Sequence, residues 1–141
     1  MSETKKKPIL CIDFDGVIHR YSKGWQDGAI YDVVTSGFFT WAERAKDIFT
    51  LVIYSSRSKT AEGLSAMSEW LTEQMIDFYG DTARSDDPPL TPSDFSFASE
   101  KPPAFLTIDD RAIRFEGSWV DITIDPERLL AFRPWNAETS L

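Results

Sequence analysis

Residues Ile9–Gly16 have the sequence ILCIDFDG. It begins with four apolar residues in a row. A run without polar alternation predicts a strand that is buried on both faces, as in a parallel sheet. Two carboxylates, Asp13 and Asp15, follow at once, and Gly16 then permits a sharp turn of the chain. We therefore expect a buried strand whose carboxyl end presents two acidic side chains.

Two later stretches repeat this plan. The run TLVIY at 50–54 is followed by the polar triplet SSR at 55–57. The run FLTI at 105–108 is followed by DDR at 109–111. Each apolar run has the length and composition of a buried strand, and each ends abruptly in polar residues. The sequence therefore predicts three buried strands with polar carboxyl ends.

Apolar residues at helical spacing separate these strands. A first set predicts a helix over 36–47: Phe38, Trp41, Ala42 and Ala45. A second set predicts a helix that begins near Ser58 or Thr60: Leu64, Met67, Leu71 and Met75. Strands that alternate with helices are typical of an α/β sheet with right-handed crossovers. We therefore expect a Rossmann-like parallel sheet flanked by helices.

The remaining segments predict shorter features. Residues 16–34 contain three glycines and are expected to form a loop or a flexible hairpin, and residues 80–103, with five prolines, are expected to be mostly irregular. A further strand is expected at 119–124. A short helix should then begin after the N-cap Asp125 and extend through Phe132. Neither 16–34 nor 80–103 is long enough to fold around a core of its own, so no large cap domain is expected.

The composition limits the possible functions. The chain has 141 residues, enough for one domain, which we expect over 8–141 after a flexible basic tail at 1–7. Its apolar runs are too short to span a membrane. The net charge of −8 makes nucleic acid a less suitable partner than a small phosphorylated substrate. Cys11 is the only cysteine and should be a small core residue, and we expect a cytoplasmic protein without a signal peptide.

The polar ends of the three strands should converge, because ligands bind beyond the carboxyl ends of the strands in open α/β sheets. Four carboxylates would then lie close together: Asp13, Asp15, Asp109 and Asp110. Carboxylates at short distances repel one another, and a hard cation such as Mg²⁺ allows them to coexist ionised. A carboxylate can also attack phosphorus and form an acyl phosphate. The sequence thus indicates a Mg²⁺ site suited to phosphate chemistry.

The motifs resemble those of the haloacid dehalogenase superfamily. The order LCIDFDGVI, LVIYSSR, a lysine and then FLTIDDR is similar to the four ordered motifs of that superfamily and covers about residues 8–114. The stretches IYSSRS and KPPAFLTIDDRA also resemble small members from phage and bacterial genomes. The resemblance implies a Mg²⁺-dependent phosphomonoester hydrolase that works through an aspartyl-phosphate intermediate.

The resemblance also implies catalytic and metal-binding roles. Asp13 matches the nucleophile, and Asp15 matches the general acid and base, whose backbone carbonyl reaches Mg²⁺ in the family. Asp109 matches a direct Mg²⁺ ligand. Asp110 matches a ligand through water or a hydrogen-bond partner. The metal set implied by the resemblance is therefore Asp13, Asp15, Asp109 and Asp110.

The remaining roles concern the phosphoryl group. Ser55 matches the hydroxyl that holds a phosphoryl oxygen, with Ser56 as the alternative, although either serine could simply cap the following helix. Lys101 matches the lysine that offsets negative charge, and Lys59 is the alternative. Arg57 could bind substrate phosphate through its planar fork or form a surface ion pair.

Several alternatives stay open from the sequence. His19 could contact substrate or have a structural or exposed role. The aromatic residues of 16–34, among them Tyr21 and Trp25, could either cover the site or pack beneath it. The protein could also be a regulatory module that binds Mg²⁺ and phosphate without turnover, or a nucleic-acid end phosphatase. The resemblance also leaves a homo-oligomer open, because capless members of the family tend either to act on large substrates or to complete their site with a partner subunit.

Overall fold

The computed structural model describes residues 6–136 and contains a four-stranded, all-parallel sheet flanked by helices. The strands are β1 (Ile9–Ile12), β2 (Thr50–Ile53), β3 (Phe95–Phe97) and β4 (Leu106–Ile108). The α-helices are α1 (Phe38–Ala45), α2 (Ala61–Tyr79) and α3 (Pro126–Leu129). The predicted α/β class without a large cap is confirmed. The expectation that the third strand is buried is wrong, since Leu106 of β4 is 56% exposed. Strand β4 lies at the edge of the sheet, where it pairs with β1 on one side. Most of the expected basic tail, residues 1–5, and the last residues, 137–141, lie outside the described residues.

In the strand order β3-β2-β1-β4, β1 lies between β2 and β4, so the polar residues after these three strands are neighbours. In the register of the sheet, Ile12 pairs with Ile53 on one side and with Ile108 on the other. The backbone ladder continues one residue further, because the Asp13 N–H donates to the Ile108 carbonyl at 3.0 Å. The residues that follow β1 and β4 therefore emerge side by side at one edge of the sheet.

The main core lies on the face of the sheet that carries alternate residues of β1 and β2. This face contributes Leu10, Ile12, Leu51 and Ile53. The helices contribute Phe39 and Ala42 from α1, and Met67, Leu71 and Met75 from α2. Cys11 is only 1% exposed, which confirms the expected core position. The two helices also contact each other, since the Tyr79 hydroxyl donates to Glu43 at 2.6 Å.

The segment 80–103 contains a strand that sequence reasoning missed. Strand β3 pairs in parallel with β2, with Leu51 opposite Phe95. Three residues between proline-rich stretches give no periodic signal of their own. The strand forms because the open edge of β2 offers hydrogen bonds to it, and Phe95 is buried beside Phe38 of α1. The rest of the segment consists largely of short 3₁₀ turns and irregular chain, as expected.

The expected strand at 119–124 is wrong. This stretch ends in a 3₁₀ turn at Ile122–Ile124, and Trp119 and Val120 are almost fully exposed. The local reason is Asp121, whose carboxylate accepts hydrogen bonds from the backbone N–H and the hydroxyl of Thr123 and so stabilises a turn.

The expected helix after Asp125 is present but shorter than predicted. The Asp125 side chain caps it by accepting from the Arg128 N–H, and Pro126 occupies the first helical position, as expected. The helix ends at Leu129 rather than at Phe132. Among residues 6–136, no helix is long and apolar enough to cross a membrane.

Candidate active site

Three carboxylates meet at the carboxyl ends of β1 and β4. One oxygen each of Asp13, Asp109 and Asp110 lies within 4.8 Å of the other two. Asp13 follows β1, while Asp109 and Asp110 follow the neighbouring strand β4. Three carboxylate oxygens at this separation form a hard, anionic donor set, which fits Mg²⁺ or another hard divalent cation. The convergence expected for these three residues is therefore observed.

Gly16 makes room for this cluster. Its backbone has φ of +83°, in the left-handed region that favours glycine. A Cβ at this position would overlap the carboxylate of Asp110. A glycine is therefore required at this position for two reasons: the left-handed backbone of the turn and the close approach of Asp110.

The carboxylate cluster resists full ionisation. Burial, together with the negative charges of Asp109, Asp110 and Asp15, raises the pKa of Asp13 to about 7. Burial and the neighbouring Asp109 also raise the pKa of Asp110. Repulsion of this kind is relieved when a cation binds between the carboxylates.

Asp15 is not part of this cluster. Its side chain turns towards two buried donors: Oδ1 accepts from His19 Nδ1 at 2.9 Å, and Oδ2 accepts from Arg57 Nε at 2.8 Å. Burial alone would raise the pKa of Asp15, but the hydrogen bonds from His19 and Arg57 outweigh it and lower that pKa below its ordinary value. Of the four predicted metal ligands, the Asp15 carboxylate is thus the one that the structure does not bring to the site.

His19 is the functional candidate that sequence reasoning undervalued. Its side chain is fully buried, and its Nε2 accepts the backbone N–H of Asp32 at 3.0 Å. Because Nε2 acts as an acceptor, we assign the ring proton to Nδ1, which donates it to Asp15. Four aromatic rings surround it at centroid distances of 5.2–5.6 Å: Phe14, Tyr21, Tyr31 and Trp70. The available signal was the four-residue spacing between Asp15 and the only histidine of the chain.

Arg57 is buried, and each nitrogen of its guanidinium donates one hydrogen bond within the protein. Beyond Asp15, Nη1 donates to the Gly28 carbonyl at 2.6 Å and Nη2 donates to the Ala29 carbonyl at 3.5 Å. The Trp25 ring covers its outer side, 5.1 Å from the guanidinium carbon. Arg57 therefore links Asp15 to the loop 16–34 instead of forming a surface ion pair. Its expected contact with substrate stays a prediction.

Ser55 caps the 3₁₀ turn Ser56–Lys59. Its Oγ accepts from the Arg57 N–H at 3.2 Å, and its own N–H donates to Ser58 Oγ at 3.1 Å. The capping role left open for this serine is therefore present. An accepting hydroxyl can still donate its hydrogen, so phosphoryl binding by Ser55 stays a prediction. Ser56 is exposed at the same edge.

The two candidate lysines are both exposed. Lys101 lies in the loop between β3 and β4, and Lys59 lies at the end of the 3₁₀ turn after β2. Among the described residues, neither side chain forms an ion pair or a hydrogen bond. The structure brings neither lysine into contact with the carboxylate cluster, so the choice between them stays open.

The loop 16–34 is fastened to the body of the protein. Trp70 of α2 donates from Nε1 to the Asp32 carbonyl at 3.0 Å. Within the loop, His19 accepts from the Asp32 N–H, and Arg57 donates to the Gly28 carbonyl from outside the loop. Trp25 is 59% exposed and therefore does not pack beneath the loop. Its ring lies on Arg57 instead. That the ring covers the candidate active site stays a prediction.

No family model, no curated protein and no solved structure matches this chain. The likeness to the haloacid dehalogenase superfamily therefore remains one of motifs. The fold and the geometry of the chain's own residues are the observations from which a function can be proposed.

Proposed function

We propose that the protein is a Mg²⁺-dependent phosphomonoester hydrolase that works through an aspartyl-phosphate intermediate on Asp13. The observation that carries the proposal is the carboxylate cluster: Asp13, Asp109 and Asp110 lie within 4.8 Å of one another at the carboxyl ends of adjacent parallel strands. This is the edge at which α/β folds bind ligands. The motif resemblance described above supports the same reaction.

The three clustered aspartates would hold the cation, together with the backbone carbonyl of Asp15 that the resemblance implies. When bound, Mg²⁺ would neutralise negative charge on the phosphoryl oxygens. Ser55 would donate its hydroxyl hydrogen to a phosphoryl oxygen. Lys101 or Lys59 would offset further charge, which also matches the resemblance.

The reaction then has two balanced steps. An oxygen of Asp13 bonds to phosphorus while the bond to the leaving oxygen breaks, and the leaving oxygen takes a proton from the carboxyl group of Asp15. In the second step Asp15 removes a proton from water, the water oxygen bonds to phosphorus, and the bond to Asp13 breaks. Phosphate is released, and the proton now on Asp15 is the one that it gives to the next leaving group.

The hydrogen bonds to Asp15 favour its role as the base. A carboxylate that accepts from both His19 and Arg57 is held ionised, because both donors stabilise its charged form. Protonation of the leaving oxygen is then the more demanding task for this residue. We therefore expect faster turnover of aryl phosphates, whose leaving groups need little protonation, than of alkyl phosphates.

The same arrangement favours one rival function. A module that binds Mg²⁺ and phosphate without turnover needs the carboxylate cluster but does not need Asp15 near the substrate. The Asp15 side chain lies outside the cluster, on His19 and Arg57. Turnover distinguishes the two functions, since both predict metal binding.

The test is a screen of phosphorylated metabolites, an aryl phosphate and end-phosphorylated oligonucleotides, with Mg²⁺ and with a chelator. The proposal predicts Mg²⁺-dependent phosphate release from small phosphomonoesters. Binding of Mg²⁺ and phosphate without release would favour the rival module. Release from oligonucleotides alone would favour a nucleic-acid end phosphatase.

A homo-oligomer stays a prediction that light scattering can check.

A further inference from the structure

A cavity of about 390 Å³ is lined in part by the residue that directly follows the carboxylate cluster in the chain, Arg111. Its lining is Tyr21, Ser22, Lys23, Gly24, Arg111, Pro134 and Asn136. Arg111 directly follows Asp110, so their Cα atoms are only about 3.8 Å apart. On the other side, the Tyr21 ring packs on His19, which donates to Asp15. The cavity is therefore lined by the residue that follows Asp110 and by a ring that contacts His19, the partner of Asp15.

Two cations line this cavity, Lys23 and Arg111. Within residues 6–136, neither side chain forms an ion pair or a hydrogen bond. The chain as a whole has 23 acidic and 15 basic residues, so two cations at one cavity form a local positive region in a negative field. Lysine and arginine side chains that line one cavity fit an anionic group.

One wall of the cavity is held in an unusual conformation. Tyr21 has φ of +59°, in the left-handed region that a bulky residue rarely adopts. Its neighbour Ser22 is fixed by Asp32, whose Oδ2 accepts from the Ser22 N–H at 2.9 Å and from its hydroxyl at 2.5 Å. The Tyr31 hydroxyl accepts from the Lys23 N–H at 2.8 Å and donates to the Gly24 carbonyl at 2.8 Å. Strain that is held by so many bonds is characteristic of binding sites.

The opposite wall comes from the far end of the described chain. Trp135 donates from Nε1 to the Gly16 carbonyl at 2.7 Å. Asn136 donates from Nδ2 to the Arg20 carbonyl at 2.7 Å. These bonds attach residues 134–136 to the loop that follows the nucleophile. The cavity is thus assembled from three separate segments, each fixed by its own hydrogen bonds or by its position after β4.

We propose that this cavity binds a second anionic group, a phosphate or a carboxylate, of the small substrate whose phosphoryl group reacts at Asp13. The inference rests on the proposed function and narrows its substrate class to phosphomonoesters that carry another anion. Lys23 and Arg111 are its specificity-determining residues. An aryl phosphate without a second anion fills only the phosphoryl site.

The kinetic test compares two substrate types in the wild type and in the variants Lys23→Met and Arg111→Met. The measured quantity is the ratio of kcat/KM for a bisphosphorylated substrate to kcat/KM for an aryl phosphate. Because a charge-assisted hydrogen bond is lost, each variant should lower this ratio about tenfold or more. The matched control is Arg44→Met, an exposed cation in the last turn of α1, which should leave the ratio at its wild-type value. An unchanged ratio in both cavity variants would overturn the proposal.

A binding test keeps the subsite separate from turnover. Calorimetry with Mg²⁺ compares α,ω-bisphosphonates of increasing chain length with monophosphonates of the same length, in the wild type and in the double variant Lys23→Met/Arg111→Met. Tighter binding of one bisphosphonate length, lost in the double variant, supports the subsite even if no phosphatase activity is found. Equal affinity for bisphosphonate and monophosphonate overturns it even if the protein is a phosphatase. An end-phosphorylated oligonucleotide that binds with the same affinity as the best bisphosphonate, and competes with it, would overturn the assignment to a small substrate.

Discussion

His19 donates a hydrogen bond from Nδ1 to Oδ1 of Asp15 at 2.9 Å, and this bond connects the loop 16–34 to the residue proposed as the base. The other ring nitrogen is fixed by the Asp32 N–H, so the imidazole has one orientation and one tautomer. Arg57 occupies the second oxygen of Asp15 from the opposite side. Asp15 is therefore held in place by two buried donors, outside the carboxylate cluster.

Two substitutions at His19 test its two hydrogen bonds one at a time. Asn can replace the Nδ1 donor to Asp15, whereas Gln can replace the Nε2 acceptor of the Asp32 N–H. If His19 positions Asp15, His19→Gln should lower kcat for an aryl phosphate about tenfold or more, and His19→Asn should lower it less. Each variant leaves one buried group unpaired and should lose about 1–3 kcal/mol of stability in denaturant unfolding. Equal kcat in the two variants, with similar losses of stability, would contradict a positioning role.

Arg57→Met should destabilise the protein strongly. The substitution keeps an apolar stem but leaves Asp15 with one donor and releases the carbonyls of Gly28 and Ala29. The removal of one partner from a buried ion pair costs about 3–5 kcal/mol, because the other charge stays buried. Denaturant unfolding of Arg57→Met beside the exposed control Arg44→Met measures the difference. A loss no larger than that of the control would show that the buried pair has no structural role.

Trp25→Ala tests whether the loop covers the site. The side chain is 59% exposed, so its removal should cost at most the cation–π contact with Arg57, about 0.5–1 kcal/mol. If the ring screens the phosphorylated intermediate from water, kcat or KM should change while the melting temperature stays nearly constant. A large fall in melting temperature with unchanged kinetics would instead show a packing role.

The stability of the ion-free protein should depend on pH through Asp13. Its pKa is about 7 in the folded protein and near the ordinary value of 3.8 when the chain is unfolded. The folded state therefore takes up a proton as pH falls through about 7, while the unfolded chain stays ionised until about pH 4. The melting temperature in a chelator should rise between about pH 8 and pH 5.5. Asp15, whose pKa is lowered, stays ionised in both states over this window and adds no slope.

Mg²⁺ should oppose this dependence of the melting temperature on pH. The cation competes with the proton on Asp13, so the stabilisation by millimolar Mg²⁺ should be larger at about pH 8 than at about pH 6. Asp13→Asn removes the group whose pKa is about 7 and should reduce the slope of the melting temperature against pH in the ion-free protein. A slope from Asp110, whose pKa is also raised, remains. A Mg²⁺ effect that is absent, or equal at both pH values, would argue against cation binding by the cluster.

The sequence predicted the parts of the fold that depend on local pattern. The runs before Asp13, Ser55 and Asp109 form three adjacent parallel strands. The first two are buried, as an unbroken apolar run predicts, whereas the third is an exposed edge strand. Strand β3 was missed because its three residues are ordered by pairing with β2 rather than by their own pattern. The strand expected at 119–124 failed for the opposite reason: its apolar residues suit a strand, but Asp121 stabilises a turn and the described chain offers no pairing partner there.

The candidate site shows the same division. The cluster of Asp13, Asp109 and Asp110 follows from strand order alone, because parallel strands deliver their carboxyl ends to one edge. The direction of the Asp15 side chain does not follow from strand order. It depends on His19 and Arg57, which approach from a loop and from a turn after another strand. Such tertiary hydrogen bonds leave no periodic signal in the sequence.

If Asp13 attacks phosphorus, its carboxylate is indispensable for turnover. Release of phosphate from an aryl phosphate with Mg²⁺ is measured for the wild type and for Asp13→Asn, which keeps the shape of the side chain but removes the attacking charge. We expect activity in the wild type, background release in Asp13→Asn, and a phosphorylated Asp13 peptide in acid-quenched wild type by mass spectrometry. Wild-type rates in Asp13→Asn, or phosphorylation of another residue, would contradict this role of Asp13.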